Sequence, residues 1–135
     1  MTIPDILRQA VIHRAENRCE YCRISQAAQE ATFHIDHIIP QASGGTTNSE
    51  NLALACVTCS LRKAARENVS DPVTGATVPI FHPRRDRWTA HFKLEGAKII
   101  GITPTGRGIV EALDMNRKHA LDVRAEEQLR GRYPV

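Results

Sequence analysis

Apolar positions follow a helical period near both ends of this chain and a strand-like pattern between them. Ile3, Leu7, Ala10 and Val11 form one helical stripe. Thr2 can cap that helix, Pro4 is tolerated in a first turn, and Asp5 stands at the capping-box position. The helix is expected to reach about Glu16, with Asn17-Arg18 turning out of it. Residues 31–39 are β-rich and end at Pro40. Residues 41–50 hold Gly44-Gly45 among many Ser, Thr and Asn and predict a loop. Residues 51–55 return as a short apolar strand. Residues 61–68, free of Gly and Pro, predict a helix.

The second half reads differently. Asp71-Pro72-Val73-Thr74-Gly75 predicts a turn. Residues 78–81 and 88–94 predict short strands or extended loops, and Glu95-Gly96 a hairpin turn into residues 98–102. Thr103-Pro104 predicts a helix start, with Ile109, Val110 and Leu113 on its buried side. Asn116 is expected to cap a last helix, with Leu121, Ala125 and Leu129 on its stripe. No linker-like stretch or internal repeat breaks the chain. The expectation is one α+β domain over residues 1–135, with a core at about 11–68 and an extension at about 69–135 packed on it.

Composition adds two constraints. Hydrophobic residues make up 41% but aromatics only 4%, so the core must be built mostly of aliphatic side chains. No apolar run approaches membrane-spanning length. The net charge of +3 is concentrated: residues 60–98 carry eight basic side chains (Arg62, Lys63, Arg66, Arg84, Arg85, Arg87, Lys93, Lys98) against four acidic ones. A basic stretch of this kind suits a polyanionic partner. Arg62, Lys63 and Arg66, at roughly helical spacing, are candidate phosphate contacts.

All four cysteines lie in two Cys-x-x-Cys pairs, Cys19/Cys22 and Cys56/Cys59. Four thiolates in two knuckles suit a closed, tetrahedral structural zinc site. Two disulfides would need an oxidising compartment, and the N-terminus shows no signal peptide, so the cytoplasm is expected. A redox role for either pair explains the shared loop less well. Between the pairs lies His34-Ile35-Asp36-His37-Ile38-Ile39-Pro40, which places a carboxylate beside an imidazole on a zinc-stapled scaffold.

Cys19-x-x-Cys22, Asp36-His37-Ile38-Ile39-Pro40, Gly44-Gly45, Asn51-Leu52 and Cys56-x-x-Cys59 with Lys63 following form an ordered set. The set resembles the HNH endonuclease family in its cysteine-bearing branch, over about residues 11–66. The resemblance implies a ββα-metal core and metal-dependent hydrolysis of phosphodiester bonds in DNA. It makes His37 the general base and Asp36 the ligand of a catalytic divalent cation, Mg²⁺ or Mn²⁺. Asn51 would bond backbone across the loop and orient His37. Neighbours on a strand face opposite ways, so a bend near Pro40 is needed to bring Asp36 and His37 to one phosphate.

One position departs from the family. The residue after the last knuckle cysteine, usually His or Asn and the second metal ligand, is Ser60. Two candidates remain for that ligand: Ser60 itself, or His34, on the same strand face as Asp36. The same departure leaves open a weakly active or inactive zinc-stapled module that binds DNA or protein.

Overall fold

The computed structural model describes residues 3–134. The first helix, α1 (Asp5–Arg14), starts after Pro4, which stands at its N-cap without a side-chain cap bond. Thr2, the expected cap, lies outside the described residues. The helix stops short of Glu16 because Glu16 and Asn17 adopt φ of +54° and +58°, which no helix can continue through. Val11 is buried, and Ile3, Leu7, Ile12 and Ala15 pack half-buried around it. Ala10, expected on this stripe, is exposed.

The first knuckle closes on itself through Cys19 N–H to Ile24 O, 2.9 Å. Strand β1 (His34–His37) is shorter than the β-rich stretch around it. It pairs antiparallel with β2 (Leu52–Ala55), setting His34 opposite Ala55, Asp36 opposite Ala53 and His37 opposite Leu52. All of β2 is buried. The loop between them contains two 3₁₀ turns, Gln41–Ser43 and Ser49–Asn51.

Helix α2 (Val57–Lys63) begins earlier than the pattern of residues 61–68 suggests. Cys56 Sγ accepts the Cys59 N–H at 3.4 Å, so the second knuckle becomes the first helical turn. Ala64, at φ +47°, ends it. The result is a ββα unit with two cysteines ahead of the hairpin and two at the head of its helix.

The extension starts with β3 (Asn68–Ser70) and β4 (Thr77–Pro79), an antiparallel pair. A single helical turn, α3 (Trp88–His91), follows where a strand or extended loop was expected. Then come the hairpin β5 (Phe92–Glu95) and β6 (Lys98–Gly101), α4 (Pro104–Ala112) and α5 (Lys118–Leu129). Thr103 Oγ1 accepts the Gly106 N–H at 2.9 Å, and Ile109 and Leu113 are buried, as the pattern predicts.

The last helix reverses its expected face. Leu129 is 85% exposed and Ala125 is exposed, while Ala120, Arg124 and Glu127 are buried. Arg124 turns inward because its guanidinium bonds Ala97 O and Met115 O, each at 2.7 Å. Asn116 does not cap this helix. Its side chain accepts the Ile99 N–H at 2.9 Å and donates to Ile99 O at 2.8 Å, extending β6 sideways.

The extension grips the first knuckle at three successive residues. Arg84 pairs with Glu20, Trp88 Nε1–H donates to Tyr21 O at 2.8 Å, and Tyr133 O–H donates to Cys22 O at 3.0 Å. Glu20 in turn accepts the Leu54 N–H at 2.8 Å. Buried residues from both halves, Val11 through Met115, form one cluster. The architecture is α+β, with the ββα unit at its centre.

Candidate functional site

Two cysteines from the first knuckle and two from the second meet as one buried cluster, their Sγ atoms within 4.8 Å of one another. Cys22 Sγ and Cys56 Sγ are 3.8 Å apart. Four Zn–S bonds of about 2.3 Å in a tetrahedron put sulfurs about 3.8 Å apart, whereas a disulfide needs about 2.05 Å. Backbone N–H groups point at two of the sulfurs: Cys22 N to Cys19 Sγ at 3.5 Å and Cys59 N to Cys56 Sγ at 3.4 Å. The neighbouring thiols, Cys19 foremost, together with burial push the Cys59 thiol well above its ordinary range. The donor set fits structural zinc, whose charge would hold all four sulfurs as thiolates. Among the described residues this is the one cluster of three or more Cys, His, Asp or Glu able to hold a metal.

Strand alternation sends His34 and Asp36 to the α2 side of the hairpin and His37 to the other. Asp36 Oδ2 lies 3.1 Å from Lys63 Nζ and accepts a long hydrogen bond, 3.3 Å, from the Tyr21 hydroxyl. Burial pushes the Asp36 carboxyl up, and Lys63 pulls it part of the way back. Lys63 also donates to His37 O at 3.0 Å. This corrects one expectation. Lys63 is fully buried and cannot reach a phosphate, because its ammonium is spent inside on Asp36. Arg62 and Arg66 are exposed, and Arg62 makes a 3.5 Å surface pair with Asp114.

His37 Nε2 lies 2.9 Å from Thr47 Oγ1, across the loop. Asn51 holds both sides of that contact. Its amide accepts the Ile39 N–H at 2.8 Å and donates to Ile39 O at 3.0 Å and Thr46 O at 2.9 Å. Thus Asn51 ties Ile39, two residues after His37, to Thr46, the neighbour of Thr47. Gly45 permits this: a Cβ there would sit 1.8 Å from Ile39 O and 2.8 Å from Asn51 Nδ2. The chain bends at Ile38–Ile39, directly after the strand.

The two candidates for a second ligand meet each other. His34 Nδ1 and Ser60 Oγ are 2.9 Å apart, beside the Asp36–Lys63 pair. One carboxylate, one hydroxyl and one imidazole are a donor set that fits an ion such as Mg²⁺ or Mn²⁺ completed by water.

Two residues near this site had no distinct signal in the sequence, and a third, Arg85, was only one of a basic stretch. Tyr21 lies inside a knuckle, where the cysteines draw the eye. Thr47 sits in a polar loop of similar residues. Arg85, from the extension, lines a cavity of about 180 Å³ with Ile39, Gly44, Gly45 and Asn51. Only the packing of the extension brings it to the loop.

Fold and cysteine cluster together define a ββα unit with a four-cysteine cluster able to hold a structural metal. Residues 19–66 match the HNH endonuclease family, a segment of 48 residues in 135 that includes all four cysteines, Asp36, His37, Asn51 and Ser60. The extension lies outside the match. No curated protein and no solved structure matches the chain. Among the described residues, no helix is long and apolar enough to cross a membrane.

Proposed function

We propose that this protein is an HNH-type endonuclease that hydrolyses phosphodiester bonds in DNA, with structural zinc on its cysteines and a catalytic divalent cation at Asp36. The observation that carries this reading is the common anchoring of Asp36 and His37. Lys63 holds the carboxylate of one and the carbonyl of the other, at 3.1 and 3.0 Å. Adjacent residues of opposite orientation are thereby locked at the end of a strand.

In the tautomer with Nε2–H donating to Thr47 Oγ1, His37 Nδ1 is the basic atom and takes a proton from the attacking water. Asn51 and Gly45 keep the loop closed so that Thr47 stays within hydrogen-bond distance of the ring. When bound, a divalent cation supplies charge stabilisation for the phosphate and for the departing 3′ oxygen. Asp36 Oδ1 is the atom offered to it, because Lys63 and Tyr21 both engage Oδ2. Arg62, Arg66 and Arg85, all exposed, are the cations we assign to flanking phosphates. A reducing compartment such as the cytoplasm keeps the four thiols available to zinc.

One observation favours a second reading, a DNA-binding module with little activity. Lys63 already neutralises Asp36, and Ser60 is a weaker ligand than the usual His or Asn. Supercoiled plasmid incubated with zinc-loaded protein and Mg²⁺, Mn²⁺ or EDTA separates the two. Cleavage that needs the divalent ion and is lost in His37→Ala supports the nuclease. DNA binding without cleavage at any metal concentration supports the module.

A further inference from the structure

Where the family pattern implies a His or Asn on the helix as second ligand, this helix presents Ser60. His34 and Asp36, two residues apart on β1, share one face, with Cα atoms about 7 Å apart at the usual strand rise. Their cross-strand partners are Ala55 and Ala53, small side chains that leave that face open to α2. The helix meets it with two residues one turn apart, Lys63 toward Asp36 and Ser60 toward His34. Lys63 is a cation and cannot ligate one. Ser60 Oγ is 2.9 Å from His34 Nδ1, and each lone pair it commits to that ring is lost to a metal.

We propose that His34, through Nε2, is the second ligand of the cation at Asp36, and that Ser60 is the acceptor that holds its ring. With Nδ1–H donated to Ser60 Oγ, the tautomer is set and the Nε2 lone pair is free. A histidine ligand is commonly oriented in this way by an acceptor on its other nitrogen. The ring is exposed, so an ion held there stays open to a DNA phosphate, unlike one inside the closed cysteine cluster. An imidazole–carboxylate pair favours Mn²⁺ over Mg²⁺, which prefers oxygen donors. Ser60 is thus a positioning residue. The inference rests on the reading of Asp36 as the cation's carboxylate.

The test uses the zinc-loaded full chain and Mn²⁺, with free ion followed by electron paramagnetic resonance and bound ion probed by pulsed methods for directly coordinated nitrogen. Wild type is expected to show nitrogen coordination that persists in His37→Ala and vanishes in His34→Ala. Ser60→Ala is expected to weaken Mn²⁺ binding about 10- to 100-fold while keeping the nitrogen signal at saturation, and Ser60→Thr to restore affinity. Zinc content and melting temperature confirm that each variant is folded. Absence of nitrogen coordination in wild type, its survival in His34→Ala, or unchanged affinity in Ser60→Ala overturns the proposal. Asp36→Asn separates the two levels. Binding lost in Asp36→Asn but intact in His34→Ala removes only the His34 assignment. Binding undiminished in Asp36→Asn, or no Mn²⁺ binding by wild type at millimolar concentrations, removes the Asp36 reading as well.

Discussion

Lys63 Nζ sits 3.1 Å from Asp36 Oδ2 with the lysine side chain wholly buried. A lysine without water around it is tolerated only beside a matched charge. Asp36 provides that charge, and the His37 carbonyl takes a second ammonium proton. The pair joins α2 to β1 at the residues that the site needs held still.

Lys63→Met should therefore act on stability and not on phosphate contact. It strands a mostly buried carboxylate, a loss approaching the roughly 3–5 kcal/mol typical of a broken buried pair and tempered by the access of Asp36 to water. Thermal unfolding of zinc-loaded protein measures it. The salt dependence of DNA binding should be unchanged in this variant, whereas Arg66→Ala should lower the slope by about 0.9. A reduced slope in Lys63→Met would return the residue to the DNA surface.

Zinc removal should unfold the ββα unit. Purified protein is expected to carry about one zinc per chain, and Cys19→Ser or Cys56→Ser to lose cooperative melting, because the binding energy of the metal is folding energy here. Elemental analysis with melting curves before and after strong chelation decides this. Native disulfides or zinc-free folded protein would contradict it.

The loop should separate activity from zinc binding. Gly45→Ala drives a methyl into Ile39 O, and Asn51→Ala leaves Ile39 and Thr46 groups unpaired at about 1–3 kcal/mol each. Both should cut plasmid cleavage about tenfold or more with zinc content near one. His37→Ala should cut it about a hundredfold or more with no change in melting temperature. Equal melting and equal cleavage in all three would detach the loop from the chemistry.

Acid should act on the extension through Asp71. Its buried carboxylate takes Arg107 Nε at 2.9 Å and Nη2 at 2.8 Å, Thr74 Oγ1 at 2.7 Å and Val73 N–H at 3.1 Å. Arg107 foremost holds that carboxyl well below the usual range. A depressed folded pKa gives stability that is fully present above the unfolded value, about 3.9, and is lost as pH falls from there through the folded value. Asp71→Asn should be less stable than wild type at pH 7, and the gap should narrow below about pH 4. Comparing the two proteins at each pH cancels the acid release of zinc, which both share. A gap constant with pH would show that the pair contributes nothing through ionisation.

Much of the candidate site was legible because its signals are local. Cys-x-x-Cys spacing fixes a knuckle within four residues, and Asp36-His37 and Asn51 fall on a strand end and a turn that neighbouring residues define. Lys63 misled because a basic residue on a short helix reads as solvated, and its burial depends on a carboxylate 27 positions earlier in the chain. The last helix misled for a related reason. Hydrophobic periodicity assumes that apolar side chains are buried first, yet Arg124 is drawn inward by two carbonyl oxygens and leaves Leu129 outside.

The sequence by itself determined the cysteine knuckles that cluster, the ββα order and the identity of the residues flanking the bend, because each depends on spacing along a few residues. Only the tertiary structure decided that Lys63 faces inward and that Ser60 and His34 meet. It also decided that Arg84, Trp88 and Tyr133 from the extension hold three successive knuckle residues. Those contacts join positions 26 to 111 residues apart. Burial and partner geometry, which no local pattern encodes, select them.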